Sequence, residues 1–223
     1  MLQAGKGSIM IFYKNNFLTD SLYDYVVSDN YKNDVTLTLD HVDQEGVFKG
    51  KQTSVQEWLD KDSLFVNQIK EELNKIDSTK GHNIDGIQIL TSVRPFDVHS
   101  DWVVTNNKIP LCDVTEFPPS YTAIVPLITG DYHTIVFDQG AEYKDFYVYK
   151  EENQELSNYC SDEDWDKYLS HCHKQDQKYL SIKKIFPWNQ KDIFGFDRTL
   201  FHSASHHKIP KKGIVIWLSY PTE

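Results

Sequence analysis

The chain has 223 residues, of which 39% are hydrophobic, 25% charged and 13% aromatic, a composition that excludes a disordered or fibrous chain and fits one well-packed domain. A formal net charge of −10 repels a phosphate backbone, so nucleic acid is not an expected partner. Residues 1–10 lack the apolar core of a signal peptide and no apolar run approaches the roughly 20 residues of a membrane span; the cysteines Cys112, Cys160 and Cys172 are odd in number and irregularly spaced, so no disulfide framework, no membrane partner and a cytoplasmic location are expected.

The apolar residues at 9–13 form a short β-prone run. Thr19, Asp20 and Ser21 then offer a cap ahead of Leu22 and Val26 at helical spacing. Residues 35–39 alternate β-branched and polar types, and Gly46 and Gly50 punctuate the stretch after them. From 54 to 76 the pattern is helical. Val55, Trp58 and Leu59 belong to one piece, Phe65, Ile69, Leu73 and Ile76 to one face of the next, and Asp62 can cap the second.

Beyond Gly86 the character changes to strands, expected at 87–93, 121–128, 133–137, 146–149, 193–201 and 213–220. An insertion at about 143–187 interrupts them, and its Asp162-Glu163-Asp164 ahead of Trp165, Tyr168 and Leu169 predicts a short capped helix. An insertion between strands of a barrel is expected over its mouth, as a lid or substrate wall. The architecture expected is α+β, mainly β. A single domain over 1–223 has a helical N-terminal support at 1–80 packed on one sheet, and a β core at 84–223 forming a double-stranded β-helix, or jelly roll.

Within the segment Arg94-Pro95-Phe96-Asp97-Val98-His99-Ser100-Asp101-Trp102, an imidazole and a carboxylate stand two residues apart. On extended backbone such positions face the same way, so His99 and Asp101 can reach one ion. His202, which also ends a β-prone run, is the best third donor. Two imidazoles and one carboxylate leave open positions on octahedral Fe(II) for a chelating keto acid and O2. Taken alone a His-x-Asp pair is weak, because a histidine on a strand is more often a hydrogen-bonded structural residue.

In element order over residues 16–220 the chain resembles the 2-oxoglutarate- and iron-dependent oxygenase superfamily, in the neighbourhood of prolyl 4-hydroxylase-like and phytanoyl-CoA hydroxylase-like members. The resemblance is carried by Asn16-Phe17-Leu18 before a helix, by His99-x-Asp101, by the strands beginning at Tyr121 and Thr134, and by Trp188 to Asp192 and Phe196-Asp197 on the approach to His202. Where the family has Gly-Asp before the distal strand, this chain has Lys191-Asp192. The resemblance implies Fe(II) on His99, Asp101 and His202, 2-oxoglutarate as co-substrate, O2 as oxidant, and hydroxylation of a small-molecule or peptidyl substrate with release of succinate and CO2.

It also implies a basic residue beyond the distal histidine that pairs with the remote carboxylate of 2-oxoglutarate. The arginines Arg94 and Arg198 both precede His202, so the anchor should be Lys211 or Lys212. Strand alternation favours Lys211, which shares a face with Gly213, Val215 and Trp217. Thr122 and Thr134 are further candidates to bond the co-substrate, Trp102 and Trp217 to wall the pocket, and Arg198 to reach substrate. His171-Cys172-His173 lacks the two-pair spacing of a zinc site and is expected in a surface loop, as are His206 and His207; His41 and His133 are expected to be structural. The rival reading is a cupin-like jelly-roll metal binder without oxygenase activity, which has no need of the basic residue. Oligomeric state leaves no mark on the sequence.

Overall fold

A computed structural model describes residues 11–28, 53–92, 95–101, 119–140 and 155–220. The strands expected at 35–39 and 146–149, and residues His41, Arg94, Trp102 and Cys112, lie outside the described residues, as do the side chains of Val55, Trp58 and Leu59.

Strand β1 (Ile11–Lys14) leads into helix α1 (Asp20–Val27), which starts where the Thr19 hydroxyl accepts the Leu22 amide at 3.2 Å. A two-residue strand β2 (Thr53–Ser54) precedes helix α2 (Val55–Leu73), which breaks at Asp62, a residue with non-helical φ −153° and ψ 71°. The Asp62 carboxylate then accepts the Phe65 amide at 3.0 Å and starts the second piece, as its position in the sequence predicts. Strands β3 (Asn83–Ser92), β4 (Pro119–Pro126) and β5 (His133–Gly140) come next, then helix α3 (Asp162–Tyr168), a 3-10 turn (Lys174–Tyr179), and strands β6 (Ile182–Pro187), β7 (Ile193–Asp197), β8 (Leu200–Ala204) and β9 (Lys211–Ser219).

These strands form two antiparallel sheets, one of six in the order β1-β7-β4-β9-β3-β2 and one of three in the order β6-β5-β8. Alternation along each strand sorts the apolar side chains into three clusters. Ile87, Ile89, Ala123, Val125, Ile214 and Ile216 face Phe17, Leu22, Val26, Phe65 and Ile69 of the helical segments, so the helices cover the outer face of the large sheet. The opposite parity, Ile124, Phe194 and Phe196, meets Val136, Phe186 and Leu200 of the small sheet, and this shared cluster joins the two sheets. Ile135, Phe137 and Phe201 point the other way, towards Trp165, Leu169, Cys172 and Leu180. The fold is thus mainly β, with antiparallel sheets and few helices.

Three features depart from the sequence expectations. The run at 193–201 is two strands in different sheets, because the Asp197 carboxylate accepts the Thr199 amide at 2.9 Å and its hydroxyl at 2.7 Å and so closes a tight turn. Both strands are buried, so no polar alternation marks the break. The expected insertion is shorter: Ile182–Pro187 is the edge strand β6. The described part of the insertion packs behind the small sheet, where Trp165 and Leu169 are buried. Lys191, where the resembling family has glycine, sits at φ 69°, in the left-handed region glycine occupies without strain. Its neighbour Asp192 accepts from the Asn16 amide at 2.9 Å and from the Tyr13 hydroxyl, tying β1 to the turn before β7.

Candidate metal centre

The loop at 95–101 is nearly without regular structure. Its backbone touches β8 through a single antiparallel bridge in which the His99 amide donates to the His202 carbonyl at 3.0 Å and the His202 amide to the His99 carbonyl at 2.8 Å. A bridge of this closely spaced kind sets two opposed residues side by side. The two imidazoles consequently stand with centroids 4.3 Å apart, and Asp101, two residues on, comes beneath them. Its Oδ1 lies 3.9 Å from His99 Nε2 and 3.8 Å from His202 Nε2, and one donor atom from each of the three residues lies within 4.8 Å of the others.

The protonation states suit a cation. His99 Nδ1 is 2.6 Å from the Asp97 carbonyl and His202 Nδ1 is 3.2 Å from the Leu200 carbonyl. A carbonyl only accepts, so each Nδ1 carries a proton, and Nε2 is the nitrogen that a neutral ring offers to a metal. Burial, with the neighbouring His99, pushes His202 down to about 4, against the pull of Asp101, and keeps its ring neutral. Burial acts to raise Asp101, but the two imidazoles, the Thr122 hydroxyl and the Arg198 guanidinium together hold it below the ordinary carboxylate range. The Thr122 hydroxyl donates to Asp101 Oδ2, leaving Oδ1, the oxygen nearest both imidazoles, as the free donor. Two imidazoles and one carboxylate, each oriented by a second hydrogen bond, fit a divalent first-row metal. Among the described residues no other set of three histidine, cysteine or acidic side chains converges in this way.

Lys211 opens β9 opposite Ser92 of β3 and is 5% exposed. Its Nζ lies 4.2 Å above the ring of Trp188, and no carboxylate among the described residues pairs with it. Burial alone drags this lysine down to about 7. Thr134 is occupied by accepting the Trp188 indole N–H at 2.9 Å. Gly213 leaves the space that Trp188 needs: a Cβ there would lie 3.1 Å from the indole ring and 3.1 Å from the Val125 carbonyl. Trp217 is buried on the same face of β9, opposite Thr122. Lys212 takes the other parity and is only partly buried.

Arg198 is 1% exposed and its Nη1 lies 3.4 Å from Asp85 Oδ2, with the Ser219 hydroxyl on Asp85 Oδ1 at 2.6 Å. Neither Asp85 nor Trp188 carries a sequence signal as a partner, since Asp85 meets Arg198 across 113 positions and Trp188 reads as one more aromatic. His206 is exposed, but His207 is buried, with its Nδ1 donating to the Ile209 carbonyl at 3.0 Å. His133 is half-buried, with its ring edge-on to Tyr168. Cys160 and Cys172 are buried free thiols rather than surface-loop residues, and burial drives both upward, Cys160 to about 11.

No family model and no curated protein matches the sequence. Among solved structures, the non-heme alpha ketoglutarate dependent carbocyclase SnoK from nogalamycin biosynthesis superposes with a TM-score of 0.50 at 11% identity, over 95% of this chain and 79% of that one. The epimerase SnoN in complex with Fe3+, alpha ketoglutarate and nogalamycin RO gives 0.49 at 9% identity, over 95% and 79% of the respective chains. A Pseudomonas putida prolyl-4-hydroxylase gives 0.46 at 8%, over 96% and 95%. The likeness to the carbocyclase is one of fold. No helix among the described residues is long and apolar enough to cross a membrane.

Proposed function

We propose that this chain is a 2-oxoglutarate- and Fe(II)-dependent dioxygenase, hydroxylating a small metabolite or a peptidyl residue with release of succinate and CO2. In this reading the two sheets are the halves of a double-stranded β-helix within one domain, working in the cytoplasm. His99, Asp101 and His202 hold the iron. When bound, that iron supplies activation of O2 coupled to oxidative decarboxylation of the keto acid.

The observation that carries the proposal is the pairing of an oriented two-histidine, one-carboxylate set with a buried ammonium that has no internal counter-ion among the described residues. A buried unpaired cation is costly to keep in a fold. An incoming carboxylate at Lys211 removes that cost and gains a charge-assisted contact in a region of low dielectric. Lys211 therefore orients one end of a dicarboxylate, with the Trp188 face beneath it. Thr122 keeps the Asp101 carboxylate in one rotamer, and the Asp97 and Leu200 carbonyls hold the imidazole protons on Nδ1. Ile124, Phe196 and Trp217 supply apolar, buried surface that keeps water out. A simple cupin-like metal binder has no use for Lys211.

The test is succinate formation from 2-oxoglutarate by the purified chain supplied with Fe(II) and O2, with and without candidate substrates. Turnover is expected in the wild type and not in His99→Ala. No succinate from iron-loaded protein across peptide and metabolite libraries contradicts the proposal.

A further inference from the structure

We infer that His171 is a positioning residue for the metal ligands: together with Ser203 it grips the Phe96 carbonyl and so fixes the loop that delivers His99 and Asp101. The inference rests on the reading that these residues hold a divalent metal. It gives the segment between α3 and β6 a task at the centre, exerted from behind the small sheet rather than over a mouth.

The loop at 95–101 has one backbone bridge to β8, at His99 itself. That bridge fixes the backbone at one residue, and a shift of about 0.5 Å in a supporting shell is enough to spoil a metal site. Two side chains add a tie at Phe96. Ser203 Oγ donates to the Phe96 carbonyl at 2.8 Å, and His171 Nε2 lies 3.1 Å from the same oxygen. Val98 adds an apolar tie, buried in the cluster with Phe201, Cys172 and Leu180. Ser203 comes directly after His202 on β8, so its side chain leaves the opposite face of the strand. The loop is thereby held on one side by the ligand and on the other by its neighbour.

The role of His171 comes from its chemistry. The Phe96 oxygen can only accept, so His171 Nε2 carries a proton, and in the neutral ring Nδ1 is bare. Burial pushes His171 below its ordinary range, which favours this neutral form, and Nδ1 is buried with no hydrogen-bond partner among the described residues. A ring with a desolvated acceptor would not be kept for packing alone, where an apolar side chain costs less. Cys172 Sγ sits 3.3 Å from His171 Nε2 and 3.6 Å from Ser203 Oγ. Its burial-raised thiol stays protonated and fills the space between them. The grip itself is anchored just past the end of α3, where the Cys172 amide donates to the Leu169 carbonyl at 2.8 Å and Leu169 is fully buried.

The test is titration of the metal-free full chain with Co(II), monitored by its d–d absorption against a competing chelator, with a melting temperature for each variant. The wild type should bind and His99→Ala should not; equal binding by both would overturn the metal reading itself, and the inference with it. His171→Ala should bind about tenfold more weakly, the usual range for a support behind a ligand. His171→Gln, which restores a side-chain N–H, should return to within about threefold of the wild type. Wild-type affinity in His171→Ala overturns the inference and leaves the metal reading intact. A folded His171→Gln as weak as His171→Ala also overturns it, because shape rather than the hydrogen bond would then matter. Should His171→Ala not fold, Ser203→Ala probes the same carbonyl from β8, and unchanged Co(II) affinity there overturns the grip.

Discussion

Two buried cations flank the metal-ligand set, and they are treated differently. Arg198 is closed against Asp85, which in turn takes the Ser219 hydroxyl. Lys211 has an aromatic face and no carboxylate among the described residues. A guanidinium stays charged under all ordinary conditions, so it can be buried only with a partner, whereas an amine can shed its proton until an anion arrives. The comparison teaches that a structural cation comes with its counter-ion built in and a ligand-binding cation comes without one.

The largest effect expected from this contrast is at Lys211. Lys211→Met should weaken 2-oxoglutarate binding by about 100-fold or more, measured by calorimetry on Mn(II)-loaded protein without O2. Its melting temperature at pH 7 should hold or rise, because an apolar chain replaces a desolvated amine. Arg198→Met should do the reverse. Leaving Asp85 without its guanidinium should cost roughly 2 kcal/mol in urea unfolding, less than for a fully buried pair because Asp85 keeps some solvent and the Ser219 hydroxyl. Equal losses of stability in the two variants would break the comparison.

pH sharpens it. With Lys211 at about 7 in the fold and about 10.4 in the unfolded chain, the unfolded state binds more protons between those values. Its contribution to the stability of the ligand-free protein therefore rises with pH across that window and is most unfavourable below about 7. Over the same window a dicarboxylate must bring a proton with it, so 2-oxoglutarate affinity should weaken by up to about tenfold per pH unit above 7. Lys211→Met should abolish both dependences, and a flat binding profile in the wild type would contradict the assignment. The smallest effect belongs to Lys212→Ala, about twofold at most on 2-oxoglutarate affinity, since Lys212 projects from the other face of β9.

The contrast was only half legible in the sequence. The i, i+2 spacing brings His99 and Asp101 together, and alternation along β9 puts Lys211 rather than Lys212 on the face with Trp217; both are relations between near neighbours in the chain. The break of α2 at Asp62 is local too, an acidic side chain capping the piece after it. The features that could not be read are those that depend on distant pairing. Asp85 as the partner of Arg198, Trp188 beneath Lys211, and the burial of His207 all arise from strands brought together across long stretches of chain. Periodicity carries no trace of such contacts. The reversal at Asp197 was hidden for a different reason: two buried strands in a row look like one.

The most direct measurement is an anaerobic optical titration with Fe(II) and then 2-oxoglutarate. A visible charge-transfer band that needs both additions is expected in the wild type and not in His202→Ala. A wild type that binds iron and 2-oxoglutarate yet stays colourless, or a His202→Ala protein that keeps the band, would contradict chelation of the keto acid on metal held by His99, Asp101 and His202.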